Sequence, residues 1–267
     1  MAKKFSLFSW NIKMFTLEKT DKARVIQHIQ KFNPDIFGLL EVVGSGIWEY
    51  LFEAFPNHNF FLTEGEETQE ILIGVHKKLQ VFLTQRDEFK TGRTSLRPGS
   101  LLSFKLGDEV YTVLYLHLKS LTDPEGFGLR DAMLQHAFNL KGALDKAAGG
   151  SGKANFIMIG DFNTMGMNYY RDNDVSAEVE IKRISYSASR RKMSILPKNS
   201  SSTWTNGNGT YSNLDHVIAS RHINFKTWED AQVKVDGWNQ FAPDSDEFKT
   251  FIDTVSDHCA IYCEVIS

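Results

Sequence analysis

Short apolar runs recur along the whole chain, and few are long enough to make a helix. Asp35–Val42 (DIFGLLEV) and Asn155–Ile159 read as central strands, because a short continuous apolar run between polar turns suits a strand covered on both faces. Phe5–Trp10 alternates, with Phe5, Leu7 and Ser9 on one face and Ser6, Phe8 and Trp10 on the other. Further strands are predicted at Asn59–Thr63, Glu70–His76, Gln80–Thr84, Leu101–Leu106, Val110–His117, Asn213–Ala219 and Cys259–Val265, with a hairpin at Gly107-Asp108. Helical spacing is confined to a few places. Thr20-Asp21 opens a helix carrying Val25, Ile26, Ile29 and Phe32, which Asn33-Pro34 stops. Ile47–Phe55 is a short helix candidate. Leu129–Lys146 is the longest, with Leu129, Met133, Ala137, Leu140 and Leu144 on its apolar face. Residues 164–210 are the least regular stretch. Interspersed strands with few long helices predict an α/β (α+β) four-layer sandwich: two packed mixed β-sheets flanked by helices, in one domain over residues 1–267.

Charge narrows the function classes. The net charge is −3, so there is no global positive field to gather a polyanion. A phosphate-rich partner has to be met by a local patch or through a bound cation. Cys259 and Cys263 are four residues apart on one strand, roughly 13 Å at ~3.3 Å per residue, which is too far to bridge. The N-terminal MAKKFSLFSWNIK lacks the apolar core of a signal peptide. No run approaches the ~20 apolar residues of a membrane span. These features lead to the expectation of a cytoplasmic protein with no obligate protein partner.

Chemistry gathers at the strand ends. Asn11 follows the first strand, Glu41 ends DIFGLLE, and His117 ends YTVLYLH. Asp161 and Asn163 follow FIMIG, Asp215 and His216 lie in NLDHVIA, and Asp257 and His258 precede the last strand. A single strand-terminal Asp or Asn is an ordinary turn former. Glu41 is less ordinary, because a carboxylate at the end of an apolar strand needs a partner. His216 should point away from Asp215 on a strand and is read as structural.

Taken in order, SWNIK, LLEV, YLHLKS, IGDFNT, LDHVIAS and SDHCAI resemble the motifs of the endonuclease/exonuclease/phosphatase superfamily. Each motif is short, but the ordered set is specific and runs from Phe5 to Val265. The resemblance implies metal-assisted attack of water on phosphorus, with Mg²⁺ or Mn²⁺ as cofactor. It assigns the metal to Glu41, with Asn11 and Asp257 completing the protein side; hard cations favour such oxygen ligands. It makes Asp161 the carboxylate that activates water, and Asn163 the group that holds a phosphate oxygen or the nucleophile. His258 stands beside the phosphate and Asp215 orients it. His117 matches the second histidine of the deoxyribonuclease-like and phosphatase branches, and Glu70 the glutamate that orients that histidine. Arg97, in LRPGSL, matches an arginine that contacts substrate phosphate, and Arg93 is a looser version of the same idea.

The substrate is not specified by these motifs. Arg183 and Arg190, nearly eclipsed on a helix with Tyr186 between them, suggest a nucleic-acid contact, against the plainer reading of a solvated helix face. Trp204 is expected to wall the groove, with a core position as the rival. The first expectation is a nuclease or nucleic-acid end-processing phosphodiesterase. The alternative is a phosphatase or phosphodiesterase acting on a small or lipid-linked phosphate of the inositol-phosphate or sphingomyelin type.

Overall fold

The computed structural model describes residues 2–15, 18, 20–43, 47–64, 70–169 and 174–267. Its first sheet has six strands in the order β13 (Lys234–Asp236), β14 (Ala260–Ile266), β1 (Lys3–Phe15), β2 (Ile36–Val42), β4 (Glu70–His76) and β3 (His58–Leu62). Its second has six in the order β5 (Val81–Arg86), β6 (Gly99–Leu106), β7 (Glu109–His117), β8 (Asn155–Asp161), β12 (Asp215–Ser220) and β9 (Met193–Ile195). In each sheet one parallel pair, β1 with β2 and β7 with β8, sits among antiparallel neighbours. A small ribbon of β10 (Trp204–Thr205) and β11 (Tyr211–Ser212) stands apart.

The two sheets pack face to face. Phe5 meets Phe104 and Tyr111 of the second sheet edge-on, at 5.1 and 5.0 Å between ring centroids. Gly38 lets the ring of Tyr115 lie on the backbone of β2, where a Cβ would stand 2.3 Å from the ring. Each such fully buried large apolar side chain contributes about 1.5–3 kcal/mol. The outer faces are covered by helices. Phe8 and Trp10 face Phe32 and His28 of α1 (Lys22–Phe32), and Phe37 faces Phe55 just beyond α2 (Ile47–Ala54). Leu114, Leu116, Phe156, Met158 and Ile218 pack under α3 (Pro124–Ala147) and α4 (Ala177–Arg190).

Two helices differ from the sequence reading, and one stands where the sequence suggests a basic helix. On α3 the buried face is turned: Met133, Leu134, Ala137 and Phe138 are buried, whereas Leu129, Leu140 and Leu144 only flank the core. Two cations complete that face because each has a partner, Arg130 on Glu180 and Lys141 on Asp145. The helix suggested for Arg183, Tyr186 and Arg190 is α4, within the otherwise irregular stretch and started by a Ser176 side chain that accepts from the Val179 N–H at 3.3 Å. A further helix, α5 (Asp246–Thr254), was not anticipated, although Ser245 followed by Asp246 and Glu247 is an N-terminal signal.

Candidate active site

The alternation of the inner strands builds the site. On β7 the residues facing the other sheet are Tyr111, Val113, Tyr115 and then His117; on β8 they are Ile157, Ile159 and then Asp161; on β12 they run from Asp215 to Val217 and Ala219. Register aligns the polar ends: His117 is opposite Asp161, and Asp161 is opposite Asp215. Three adjacent strands thus present His, Asp and Asp side by side. Gly160, at φ 141°, has its α-carbon against the Leu116 carbonyl, 2.0 Å from where a Cβ would stand, so only glycine brings β8 this close before Asp161.

The first sheet supplies the opposing wall. Asn11 continues the face of Phe5, Leu7 and Ser9, still within β1 rather than after it. Its Nδ2 donates to Glu41 Oε1 and to Asp161 Oδ2, each at 3.1 Å. Strict alternation would turn Glu41 outward with Phe37 and Leu39. A register shift between Leu40 and Val42 and a φ of 63° at Glu41 break the alternation and bring its carboxylate to the cleft. Left-handed backbone at a non-glycine residue costs on the order of 1 kcal/mol, and such strain gathers at functional sites. Asn163, at φ 48°, is a second case.

Asp161 is the centre. It is buried and accepts from the Asn163 N–H at 2.8 Å as well as from Asn11. Burial, and then the neighbouring charge of Asp215, push its carboxyl up to about 7. His258 Nε2 lies 3.9 Å away and His117 Nε2 3.7 Å away. His258 Nδ1 donates to Asp215 Oδ2 at 2.9 Å. Burial opposes charge on that ring most strongly of any single cause, but the carboxylates of Asp215, Asp161 and Asp257 together outweigh it and raise His258 to about 10. His258 is therefore an imidazolium with Nε2–H aimed at the cleft. His117 has the opposite character: burial, then the charges of Arg97 and His258, hold it well below its ordinary value.

The donor set fits a divalent cation. Glu41 Oε1 faces the neutral His117 at 3.6 Å, and Asp161 lies beyond. Neither carboxylate has a Lys or Arg partner among the described residues. Carboxylate oxygens of Glu41 and Asp161 gathered around His117 Nε2 and Asn11 Nδ2 suit a hard cation, whereas the Asn11 amide oxygen is turned away and accepts from the Lys13 N–H at 3.1 Å. Asp161, Asp215 and His258 also lie within ligand spacing, all within 4.8 Å. That trio is better described as an ion-paired dyad beside a base, because a protonated His258 cannot ligate a metal.

The remaining expectations divide. Asp257 is held by Lys13 at 3.7 Å, and its carbonyl accepts from Thr205 and Trp238. Trp204 bridges to His258 through its backbone, so the β10–β11 ribbon stands beside that histidine. Asn163 spends one Nδ2–H on the Leu118 carbonyl at 3.0 Å. Arg97 lies close enough for its charge to act on both His117 and Glu70. Glu70 itself accepts from the Thr63 hydroxyl, and His117 Nδ1 has no hydrogen-bond partner among the described residues; the expected Glu70–His117 bond is not formed. Arg93 pairs with Glu125 at 2.7 Å at the start of α3, on the surface. Arg183 lines a groove between α3 and α4 with Phe127 and Asp131. Arg190 is not brought to the cleft. It lies beside Gly150 and Ser151, which precede the first residue of β8, while Asp161 is the last. That strand has seven residues, so Arg190 is about 20 Å away at ~3.3 Å per residue. Residues 170–173, within the expected substrate-contacting loop, lie outside the described residues.

His216 faces outward and stays neutral through burial, with Nε2 on the Thr164 hydroxyl at 3.0 Å. Several supporting groups were not found by sequence reasoning. The Thr203 hydroxyl accepts from the Leu214 and Asp215 N–H groups, both at 2.9 Å. The Ser256 hydroxyl donates to the Asn11 carbonyl at 2.6 Å and accepts from the His258 N–H at 3.0 Å. Only Ser256, two residues before a motif histidine, carried a local signal.

Two sheets with a carboxylate, an oriented imidazolium and a cation-seeking glutamate at one edge define a phosphoester hydrolase. The Endonuclease/Exonuclease/phosphatase family model matches residues 8–258, and the chain belongs to that family. Its members are hydrolases of phosphoesters and are generally divalent-metal dependent. A comparison with curated protein sequences finds no match. Among solved structures the chain is similar to D. rerio TDP2 complexed with single strand DNA product, at 18% identity and TM-score 0.66, covering 98% of this chain and 99% of that one. It is similar to truncated Caenorhabditis elegans TDP2 at 19% identity and TM-score 0.69, covering 98% of each. It is also similar to a variant of the 3' phosphatase NExo from Neisseria bound to product DNA hairpin, at 13% identity and TM-score 0.64, covering 98% and 100%. At these identities the likeness is one of fold. No helix among the described residues is long and apolar enough to cross a membrane.

Proposed function

We propose that this chain is a divalent-metal-dependent phosphodiester hydrolase acting on nucleic-acid ends, with Mg²⁺ or Mn²⁺ as its cofactor. The observation that carries the reading is Asp161, buried between two amide donors, with a charged His258 and a neutral His117 within 4 Å. Asn11 and the Asn163 N–H fix the carboxylate in one orientation. A carboxyl near 7 takes a proton from water at neutral pH, the condition for efficient general-base catalysis. His258 Nε2–H donates to a non-bridging phosphate oxygen, and Asp215 keeps that ring charged and aimed. Glu41 would hold the cation, with Asn11 steadying that carboxylate through its Nδ2–H, and Arg97 would offer its charge to the phosphate. The bound cation supplies Lewis-acid stabilisation of charge on the phosphate and leaving oxygens.

Support for a nucleic-acid substrate comes from two sides. Two of the similar structures carry DNA product. The ribbon beside His258 offers the half-buried Trp204 and the exposed Tyr211 as faces on which bases stack. Two observations favour the second reading, a small or lipid-linked phosphate: the Arg190 end of α4 lies away from the cleft, and the net charge is −3. A hydrolysis panel separates the two. Single-stranded and duplex DNA ends, RNA, inositol phosphates, sphingomyelin and bis-p-nitrophenyl phosphate are assayed with and without chelator. Hydrolysis should stop with chelator and return with Mg²⁺ or Mn²⁺. Full activity after exhaustive chelation rules out the metal-dependent mechanism. Nucleic-acid KM should rise steeply with salt, whereas a small phosphoester responds little.

A further inference from the structure

Behind the His258–Asp215 dyad, at the edge of the second sheet, stands a lysine that the reaction above does not use. β9 pairs with β12 as far as Leu196, whose N–H donates to the Val217 carbonyl at 2.9 Å. Two residues back on β12, the Asp215 carbonyl points to the same side. The ladder's next donor on that side would be the Lys198 N–H, but no such bond forms among the described residues, because the edge chain leaves β12 at Pro197 and pairs with Val233 instead. The Pro197 carbonyl accepts instead from Gln232 and Val233 as the chain turns away toward β13. The Asp215 carbonyl would face a gap, and an unpaired buried carbonyl costs about 1–3 kcal/mol.

The Lys198 ammonium fills that gap. It donates to the Asp215 carbonyl and to Asn213 Oδ1, and lies 3.4 Å from His216 Nδ1. Its three N–H groups thus meet three acceptors on the one segment 213–216 that leads into β12. No carboxylate contacts it among the described residues, and burial pushes it down to about 8. The clamp extends further. His216 Nε2 reaches the Thr164 hydroxyl, and Thr164 follows Asn163. The chain Lys198–His216–Thr164 therefore joins the segment that carries Asp215 to the loop that carries Asp161 and Asn163.

We propose that Lys198 is a positioning residue for phosphoester hydrolysis: its ammonium fixes the 213–216 segment so that Asp215 presents its carboxylate to His258 Nδ1. The inference rests on the functional reading above and adds a group that touches neither substrate nor metal. A lysine chosen only to fill space would not need all three donors on one catalytic segment. An apolar side chain would satisfy packing at that edge without the cost of burying a charge.

The site is open to a direct test. Lys198 lines a cavity of about 420 Å³ with Asn199, Ser201 and Asn213, which gives a small amine a way in. Lys198→Ala removes the atoms of one propylamine. It should lower kcat by about tenfold to a hundredfold, the scale for misplacing a catalytic group, with KM nearly unchanged. Propylammonium should restore kcat in a saturable way, and 1-propanol should not. A second readout does not depend on hydrolysis. The low-field proton signal of the His258 Nδ1–H, recorded without metal or substrate, should move in Lys198→Ala and return with propylammonium. Lys198→Met, close in shape and uncharged, should behave as the alanine variant does without the cavity. Wild-type kcat in either folded variant, rescue by propanol equal to that by propylammonium, or an unmoved His258 signal overturns the proposal. Absence of metal-dependent hydrolysis in the wild type would count against the functional reading instead, and the proton signal would still test the clamp.

Discussion

Replacing Asp215 by Asn tests the dyad most sharply. The side chain keeps its size and loses its charge, 2.9 Å from His258 Nδ1. In the wild type His258 holds its proton to about 10, even though burial by itself pulls the value below 6.5. Without the carboxylate, the ring should titrate well below its wild-type value, because only Asp161 and Asp257 remain to oppose burial. Each tenfold of proton affinity lost from the ring corresponds to ~1.4 kcal/mol. At neutral pH the variant should therefore carry less imidazolium, and with it a less dependable Nε2–H for the phosphate. Turnover should fall at least about a hundredfold, the usual scale for losing an acid–base group. The residual activity should gain toward acid pH, where the ring charges again. The assay pairs a pH–rate profile on bis-p-nitrophenyl phosphate with an NMR titration of the His258 ring in the absence of metal. A ring that still titrates above 8 in the variant, or a turnover loss under tenfold, refutes the assignment.

Four further outcomes are expected. Asp161→Asn should remove at least about a hundredfold in kcat while the melting temperature is kept or raised, since a buried carboxylate is neutralised. His258 also links stability to pH: its folded value, about 10, exceeds the unfolded 6.5, so its contribution is whole below 6.5 and is lost as pH rises toward 10. Tm should decline over that window in the wild type and decline less in His258→Gln. Arg130→Met leaves Glu180 buried without its guanidinium, frees the Leu121 and Gly166 carbonyls, and should cost about 3–5 kcal/mol in urea unfolding; a loss under 1 kcal/mol would contradict the pairing. Arg190→Glu should leave the kcat and KM of a small diester unchanged, because that residue lies at the far end of β8 from Asp161.

Local sequence was a good guide wherever a single element decides the outcome. Glu70–His76 is a strand with the expected bounds, Asp21 and Asn33 cap α1, and Gly107-Asp108 turns β6 into β7. Each rests on neighbours in the chain: alternation, a capping oxygen, a tight turn. The polar ends of the strands were also legible, because an ionisable group ending an apolar run is conspicuous without any knowledge of what faces it. Burial of charge was not legible. Arg130 and Lys141 look solvent-facing until Glu180 and Asp145 are seen to neutralise them, and Glu180 is fifty residues away from Arg130. Placement across elements was equally hidden. The sequence puts Arg183 and Arg190 on a plausible basic face, but only the direction in which α4 runs along the second sheet decides that Arg190 ends far from Asp161. Glu70 and His117 sit on different sheets, and it was packing that gave Glu70 to Thr63. Lys198 is the clearest case. It carries no motif, and the role proposed for it arises because the edge chain leaves β12 just where the Asp215 carbonyl needs a donor. Periodicity and capping are properties of a few consecutive residues, so the chain alone determined the elements and which of their ends bear chemistry. Partners for a buried charge, a carbonyl or an imidazole come from segments distant in sequence, and only the packed sheets decided those.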